Sequence, residues 1–299
     1  MNHPLSRFAP AWLLLLSLFP VSPATWAAAY QLPENGDNVI GAVTRLRLTY
    51  DSTFAAIAEQ YGLGFQELID ANPGVDPWIP GDGTEIELPT QYVLPDAPRE
   101  GIVINLAEYR LYYFPPGADH VITYPVGIGR TEFPTPLIET RVVTRIAEPS
   151  WTPTADARRE HAERGDILPQ VVPPGPENPL GPLALQLAVP GYFIHGTNKP
   201  FGVGQQVSLG CIRLYNEHIL TLSEFVSRGT RVTIVNQPVK VGTRYDEFYL
   251  ESHRELFVEG SVPERREQVG KLVKERAASL DWQLVDVALE SLTGVPVRI

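Results

Sequence analysis

Cys211 and His195 are the side chains of this sequence best suited to covalent chemistry, sixteen positions apart in "GYFIHGTNKPFGVGQQVSLGCIRLYNEHI", Gly191 to Ile219. A free thiol with a pKa of about 8.5 is only slightly ionised at neutral pH, and a neighbouring imidazole favours the reactive thiolate. Histidine titrates close to neutrality, so the same ring can return the proton to a leaving amine. A carbonyl attacked by sulfur develops negative charge, for which the backbone amides of Leu209, Gly210 and Cys211 are candidate donors, with Gly210 permitting close approach. The implied chemistry is acyl transfer through a thioester. A Cys and His at this spacing are a weak signal alone, because a lone cysteine is as readily inert filling. His218, seven positions past Cys211, is a rival base on a helix expected to point it away. His161, set among charges, reads as a solvated surface histidine.

The segments around these residues predict how they are held. His195 ends an apolar strand and Gly196 follows at once, so the ring can face a cleft while the chain turns. The glycine-rich loop after it folds back toward Cys211, and Asn216 is placed to cap a helix over Glu217 to Ser227. Short β-rich segments at 102–105, 110–114, 121–126, 140–146, 193–195 and 231–235 predict a mainly β domain, a sandwich or barrel rather than a parallel α/β sheet. The insertion from Glu148 to Pro182 joins a short helix to a proline-stiffened arm, the pattern of a cap over a cleft. Residues 239–299 turn charged, and Val269, Leu272, Val273, Leu280, Leu284 and Val287 predict one long amphipathic helix or two in series, packed on the β domain.

Ahead of the β domain, strand, helix, helix and strand follow one another. Leu46 to Tyr50 alternates, "FAAIAEQYG" carries Phe54, Ile57, Ala58 and Tyr61 at helical spacing behind the candidate caps Asp51, Ser52 and Thr53, a second helix runs from Phe65 to Ala71, and "TEIELP" closes the unit. Tyr30 to Ala42 reads as polar and turn-rich, and Pro95 to Glu100 as a linker. At the start, Arg7, the apolar run Trp12 to Phe19 and Ala27-Ala28-Ala29 form a secretory signal peptide, residues 1–29, so the protein is expected to be exported to the periplasm with no membrane segment after cleavage. Cleavage removes one positive charge and takes the formal net charge from −11 to −12, which argues against nucleic acid as a partner. One unpaired thiol in an oxidising compartment points to inert burial, pairing between chains, or chemistry. No metal-ligand cluster or phosphate-binding glycine loop is visible, and no cofactor is expected.

"IAEQYGL" with "LIDANPGVDPWIPGDGTEIELP" resembles a LysM domain over residues 39–90, which implies binding to the glycan of peptidoglycan or chitin; it departs from the family at Asp51-Ser52-Thr53, where Gly-Asp-Thr is common. "IHGT" followed by "VSLGCIRL", with "IVINLAEYRLYYFP", "PVGIGR", "VVPPGPENPLGP" and "VNQPVKVG", resembles the YkuD-type L,D-transpeptidases over residues 101–241, giving a catalytic domain at 99–238 and a helical extension at 239–299. The resemblance implies a YkuD-like β fold in which Cys211 is acylated by a peptidoglycan stem tetrapeptide with release of its terminal D-alanine. His195 is then the base, held by a backbone carbonyl near Gly196. Ser208 and Gly210 shape the loop, and Arg213 grips a substrate carboxylate or, equally, makes a structural ion pair. Leu209 stands where the family commonly has His. The layout is similar to enterobacterial enzymes that join an outer-membrane lipoprotein to peptidoglycan or make 3-3 crosslinks. The acceptor amine this implies is a lipoprotein lysine, the diaminopimelate of a second stem or a free D-amino acid. Hydrolysis of wall crosslinks and non-catalytic wall binding are the competing functions.

Overall fold

The computed structural model describes residues 28–257 and 260–299, so the signal peptide read from the sequence lies almost wholly outside the described residues. The described residues begin with β1 (Ala28–Gln31), β2 (Val39–Gly41), β3 (Thr44–Arg47), α1 (Phe54–Tyr61), α2 (Phe65–Ala71), β4 (Glu85–Leu88) and β5 (Gln91–Val93). β3 pairs antiparallel with β4, and the two helices pack on that pair through Phe54, Ile57, Ala58, Leu63, Leu68, Ile86 and Leu88. Thr53 starts α1 by accepting from the amide of Ala56 (3.2 Å), and Gly62, at φ +63°, ends it. The stretch 30–42 is not the turn-rich coil its composition suggests. β1 pairs with a strand of the main sheet and β2 with β5, because Tyr30, Ile40 and Tyr92 have an apolar face of that sheet to cover.

The main sheet is built from β6 (Gly101–Asn105), β7 (Arg110–Phe114), β8 (His120–Pro125), β10 (Glu139–Ala147), β11 (Leu183–Leu187), β12 (Phe193–His195), β14 (Ile212–Arg213) and β15 (Arg231–Val235), joined at one edge by β1. Between them lie β9 (Ile128–Gly129) and β13 (Gln206–Ser208), which pair with each other, and the helices α3 (Ala155–Glu163) and α4 (Asn216–Phe225). The strand order is β1-β8-β7-β6-β15-β10-β11-β12-β14, mostly antiparallel, with parallel pairs at β6–β15 and β12–β14. The protein is thus mainly β, with six α-helices among the described residues. One core is shared by strands on both sides of β10 and by Ile219 and Leu222 of α4. β6 and β7 are buried along their whole length, because β2 and β5 cover their second face through Ile40, Tyr92 and Leu94. α4 begins one residue earlier than its sequence suggests, and Asn216 does not cap it; its Oδ1 accepts from the amide of Thr197 instead (2.8 Å).

The extension is only partly helical. It opens as a hairpin, β16 (Val239–Arg244) and β17 (Glu247–Ser252), continues through α5 (Val262–Val273), a 3-10 segment and α6 (Trp282–Ser291), and returns as β18 (Val297–Arg298) on β17. Val239, Leu250, Val269, Val273, Leu280, Val285, Ala288 and Leu289 make its core. Leu272, Leu284 and Val287, expected on the inner face, are exposed. The buried stripe of α6 is Val285, Ala288 and Leu289, the i, i+3, i+4 set next to the one the sequence suggests.

Candidate active site

β12 and β14 run side by side in parallel, with Ile194 opposite Ile212 and His195 opposite Arg213. Side chains alternate across a strand, so with Ile194 and Ile212 in the core, His195 and Arg213 share the other face. Cys211 lies two positions before Arg213, and the Arg213 cation acts electrostatically on both Cys211 and His195. The His195 ring is buried, with Nδ1 2.6 Å from the carbonyl oxygen of Gly196. A carbonyl only accepts, so Nδ1 carries the hydrogen and Nε2 presents the lone pair. Burial, reinforced by Arg213, pushes the imidazole pKa down to about 3, so the ring is neutral at neutral pH. Burial raises the thiol of Cys211, against the opposing pull of the Phe193 main chain and Arg213. Its Sγ–H donates to the Gly191 carbonyl (3.5 Å). The site therefore holds a neutral thiol and a neutral base, suited to proton transfer during attack rather than to a standing thiolate–imidazolium pair.

The turn before Cys211 is braced from two sides. Ser208 Oγ donates to the Cys211 carbonyl (2.6 Å) and accepts from the amide of Gly210 (3.1 Å). Of the three amides nominated as carbonyl donors, Gly210's is thus already engaged. Thr135, buried and not singled out by its sequence, accepts from the Gly129 amide and donates to the Gly210 carbonyl, both at 2.9 Å. Gly210 has φ +107° and lies against Tyr192, a conformation other residues rarely adopt. At Gly196 an added Cβ would meet Asn216 Oδ1 at 2.5 Å, so this glycine lets the chain turn beneath the histidine.

Arg213 makes no ion pair among the described residues, and its Nε is buried without a hydrogen-bond partner. His218, expected to point away from Cys211, is buried edge-on between Tyr124 and Tyr215, and burial, with Arg110, lowers its pKa to about 4. His161 pairs with Asp166 on α3's partly exposed side (2.6 Å). In the insertion, Asn178 Nδ2 reaches the carbonyls of Pro149, Val172 and Pro173, gathering the arm. Glu160 of α3 pairs with Arg130, whose own amide donates to the Ser208 carbonyl (3.0 Å), so the helix is tied to the turn that carries Cys211. Glu108, Glu251 and His253 bring ligand atoms close enough for a metal, but the Lys240 ammonium lies 2.8 Å from both carboxylates and supplies the balancing charge.

Residues 99–234 match the L,D-transpeptidase catalytic domain of the YkuD family. The probable L,D-transpeptidase ErfK/SrfK of Escherichia coli is 40% identical over 96% of this chain and 96% of its own length. The probable L,D-transpeptidases YcfS and YbiS of the same organism are 46% and 40% identical, over 78% and 91% of this chain and 72% and 92% of their own lengths. The chain belongs to the YkuD family of L,D-transpeptidases. In this L,D-transpeptidase sequence reasoning missed Thr135, and also Phe201, whose ring packs on Phe65 and Trp78. Thr135 lies seventy-five positions from the carbonyl it holds, beyond the reach of any local pattern. Phe201 is in the loop between His195 and Cys211, where an aromatic residue among glycines was the available signal.

Proposed function

We propose that this L,D-transpeptidase acts on peptidoglycan stem peptides in the periplasm, with Cys211 as nucleophile and His195 as base. His195 and Arg213 side by side on adjacent parallel strands, with Cys211 immediately before the second strand and under the influence of the Arg213 cation, carry this reading. Arg213 grips a carboxylate of the donor tetrapeptide and brings its scissile carbonyl to the sulfur. Sγ forms the C–S bond as its proton passes to Nε2 of His195. The oxyanion is received by the amides of Leu209 and Cys211, since Ser208 already engages that of Gly210. The C–N bond then breaks, His195 returns the proton to the departing D-alanine, and the thioester remains. An amine acceptor, a lipoprotein lysine or the diaminopimelate of a second stem, attacks that thioester, loses its proton to His195 and restores the thiol. Leu209 offers the turn an amide and no titrating group, so His195 alone serves as base.

Residues 99–238 form the catalytic domain under this reading, and residues 39–90 a LysM-like unit directed at the glycan that carries the stems. The insertion 148–182 covers the cleft, with the Arg130–Glu160 pair as its anchor. Incubation with disaccharide tetrapeptides, with and without each acceptor, followed by mass analysis, tests the assignment. Crosslinked or acceptor-bearing products are expected, and Cys211→Ala gives none. Tripeptides alone would make the enzyme a hydrolase, and full activity in Cys211→Ala would end the assignment.

A further inference from the structure

The loop that joins His195 to Cys211 is held from outside the catalytic domain. The Val203 carbonyl accepts from the amide of Phe65, the first residue of α2 (3.4 Å), and Gly204 is packed against Gly64 so closely that an added Cβ would run into the Gly64 backbone. Phe201 packs, with its ring tilted, against Phe65 and Trp78, the ring centroids 4.7 and 5.5 Å away. Trp78 is itself fixed, because Asp76 Oδ1 accepts from the amides of Trp78 and Ile79 (2.8 and 2.9 Å). Beneath the contact, both carboxylate oxygens of Glu67 of α2 accept from Nη2 of the buried Arg110 of β7 at 2.7 and 2.5 Å, and Tyr215 donates to the Leu63 carbonyl (3.2 Å). On the loop's other side lies Arg213: a Cβ on Gly202 would come within 2.7 Å of its Nη1. The Arg213 main chain exchanges two hydrogen bonds with Gly127, which in turn packs against the Gly202 carbonyl.

We propose that the N-terminal unit is a positioning part of the active site: by seating Phe201, Val203 and Gly204, it fixes the loop against which the Arg213 guanidinium lies, and so sets selectivity for anionic substrates at Cys211. Trp78 and Phe65 act through the loop and touch no reacting atom. This rests on the assignment of Cys211 and Arg213 above. A side chain docked across a loop restricts the cation on its far side to one place, whereas a released loop lets the guanidinium disperse its charge into solvent.

The test compares alkylation of Cys211 by iodoacetate and by neutral iodoacetamide, in each of which Sγ displaces iodide. In the wild-type protein Arg213 favours the anionic reagent, and Arg213→Gln lowers the iodoacetate-to-iodoacetamide rate ratio. Trp78→Ala and Gly204→Ala are each expected to lower that ratio by about threefold or more with the iodoacetamide rate unchanged. Trp78→Phe should retain it, and Trp78→Ala should add nothing in the Arg213→Gln background. Circular dichroism and the thermal midpoint identify a variant that fails to fold, and the half-exposed Trp78 serves if Gly204→Ala does so. An unchanged ratio in both variants beside a lowered one in Arg213→Gln overturns the positioning role alone. A ratio insensitive to Arg213→Gln overturns the carboxylate grip as well. Equal loss with both reagents would reduce the contact to general support of the fold.

Discussion

At the residue scale the site is defined by two displaced titrations that oppose ion-pair formation. His195 is held near pKa 3 by burial and Arg213, and Cys211 is raised by burial. The competent form, neutral thiol beside neutral imidazole, then prevails across the whole range between the two pKa values. The pH profile of kcat/KM for acyl transfer should accordingly be flat from about pH 5 to 8, without the acid limb of an ordinary histidine near 6.5. Iodoacetamide, which needs free thiolate, should instead react about tenfold faster per pH unit over the same range. A kinetic limb near 6.5 would mean that His195 is more hydrated than its surroundings indicate. Thr135→Val leaves the buried Gly129 amide and Gly210 carbonyl each without the hydroxyl it now bonds. A stability loss of about 1–3 kcal/mol is expected by denaturant titration, together with slower transfer. The proposed nucleophile and base, Cys211 and His195, belong to one local stretch, and the motif around them singled them out where their spacing alone was a weak signal. The Thr135 brace was not legible, because hydrogen bonds between distant segments leave no periodic trace.

At the scale of elements, legibility followed the range of the interactions that form each one. α2 has the bounds its sequence suggests, and α1 starts behind one of its three candidate caps, because caps and apolar spacing are local signals. β1 and β2 were hidden, since their partners lie in β8 and β5, far along the chain. The β16–β17 hairpin was hidden by its turn. Arg244 pairs with Glu247, leaving Tyr245 and Asp246 as a two-residue connection with both φ positive, at +54° and +64°. Such turns usually announce themselves as Asn-Gly, and here side chains occupy the left-handed region at a cost of roughly 1–2 kcal/mol each. Replacing Tyr245-Asp246 by Asn-Gly is therefore expected to stabilise the protein by about 1 kcal/mol, the exposed Tyr245 ring losing only its contact with Arg244. A thermal midpoint that stays level or falls would show that the ring supports the hairpin.

At the scale of the whole molecule, buried charge joins the three parts of the chain. Lys240 of β16 lies between Glu108, in the 3-10 turn before β7, and Glu251 of β17, and donates to the Val93 carbonyl (2.6 Å); Glu251 accepts in turn from the Val93 amide (2.5 Å). Burial drives Glu251 upward, but Lys240 and His253 more than offset it and bring its pKa to about 2. Its contribution to stability is present above its unfolded pKa, near 4.5, and is lost as pH falls toward 2. The histidines act earlier. His195 and His218 bind protons in the unfolded chain below about pH 6.5 but resist protonation in the folded protein until about 3 and 4. Between roughly pH 6 and 4 the unfolded state thus holds up to two more protons than the folded one, and stability falls by up to about 2.7 kcal/mol per pH unit. His218 is the better probe, because both its ring nitrogens are buried without partners and its surroundings are the Tyr124 and Tyr215 rings and Arg110. His218→Phe keeps the ring contacts and removes the titration. It should about halve the slope of unfolding free energy between pH 6 and 4 and leave stability at pH 7 equal or higher. An unaltered slope would assign the acid sensitivity to other groups, and a large loss at pH 7 would mean that the His218 nitrogens are hydrogen-bonded in solution.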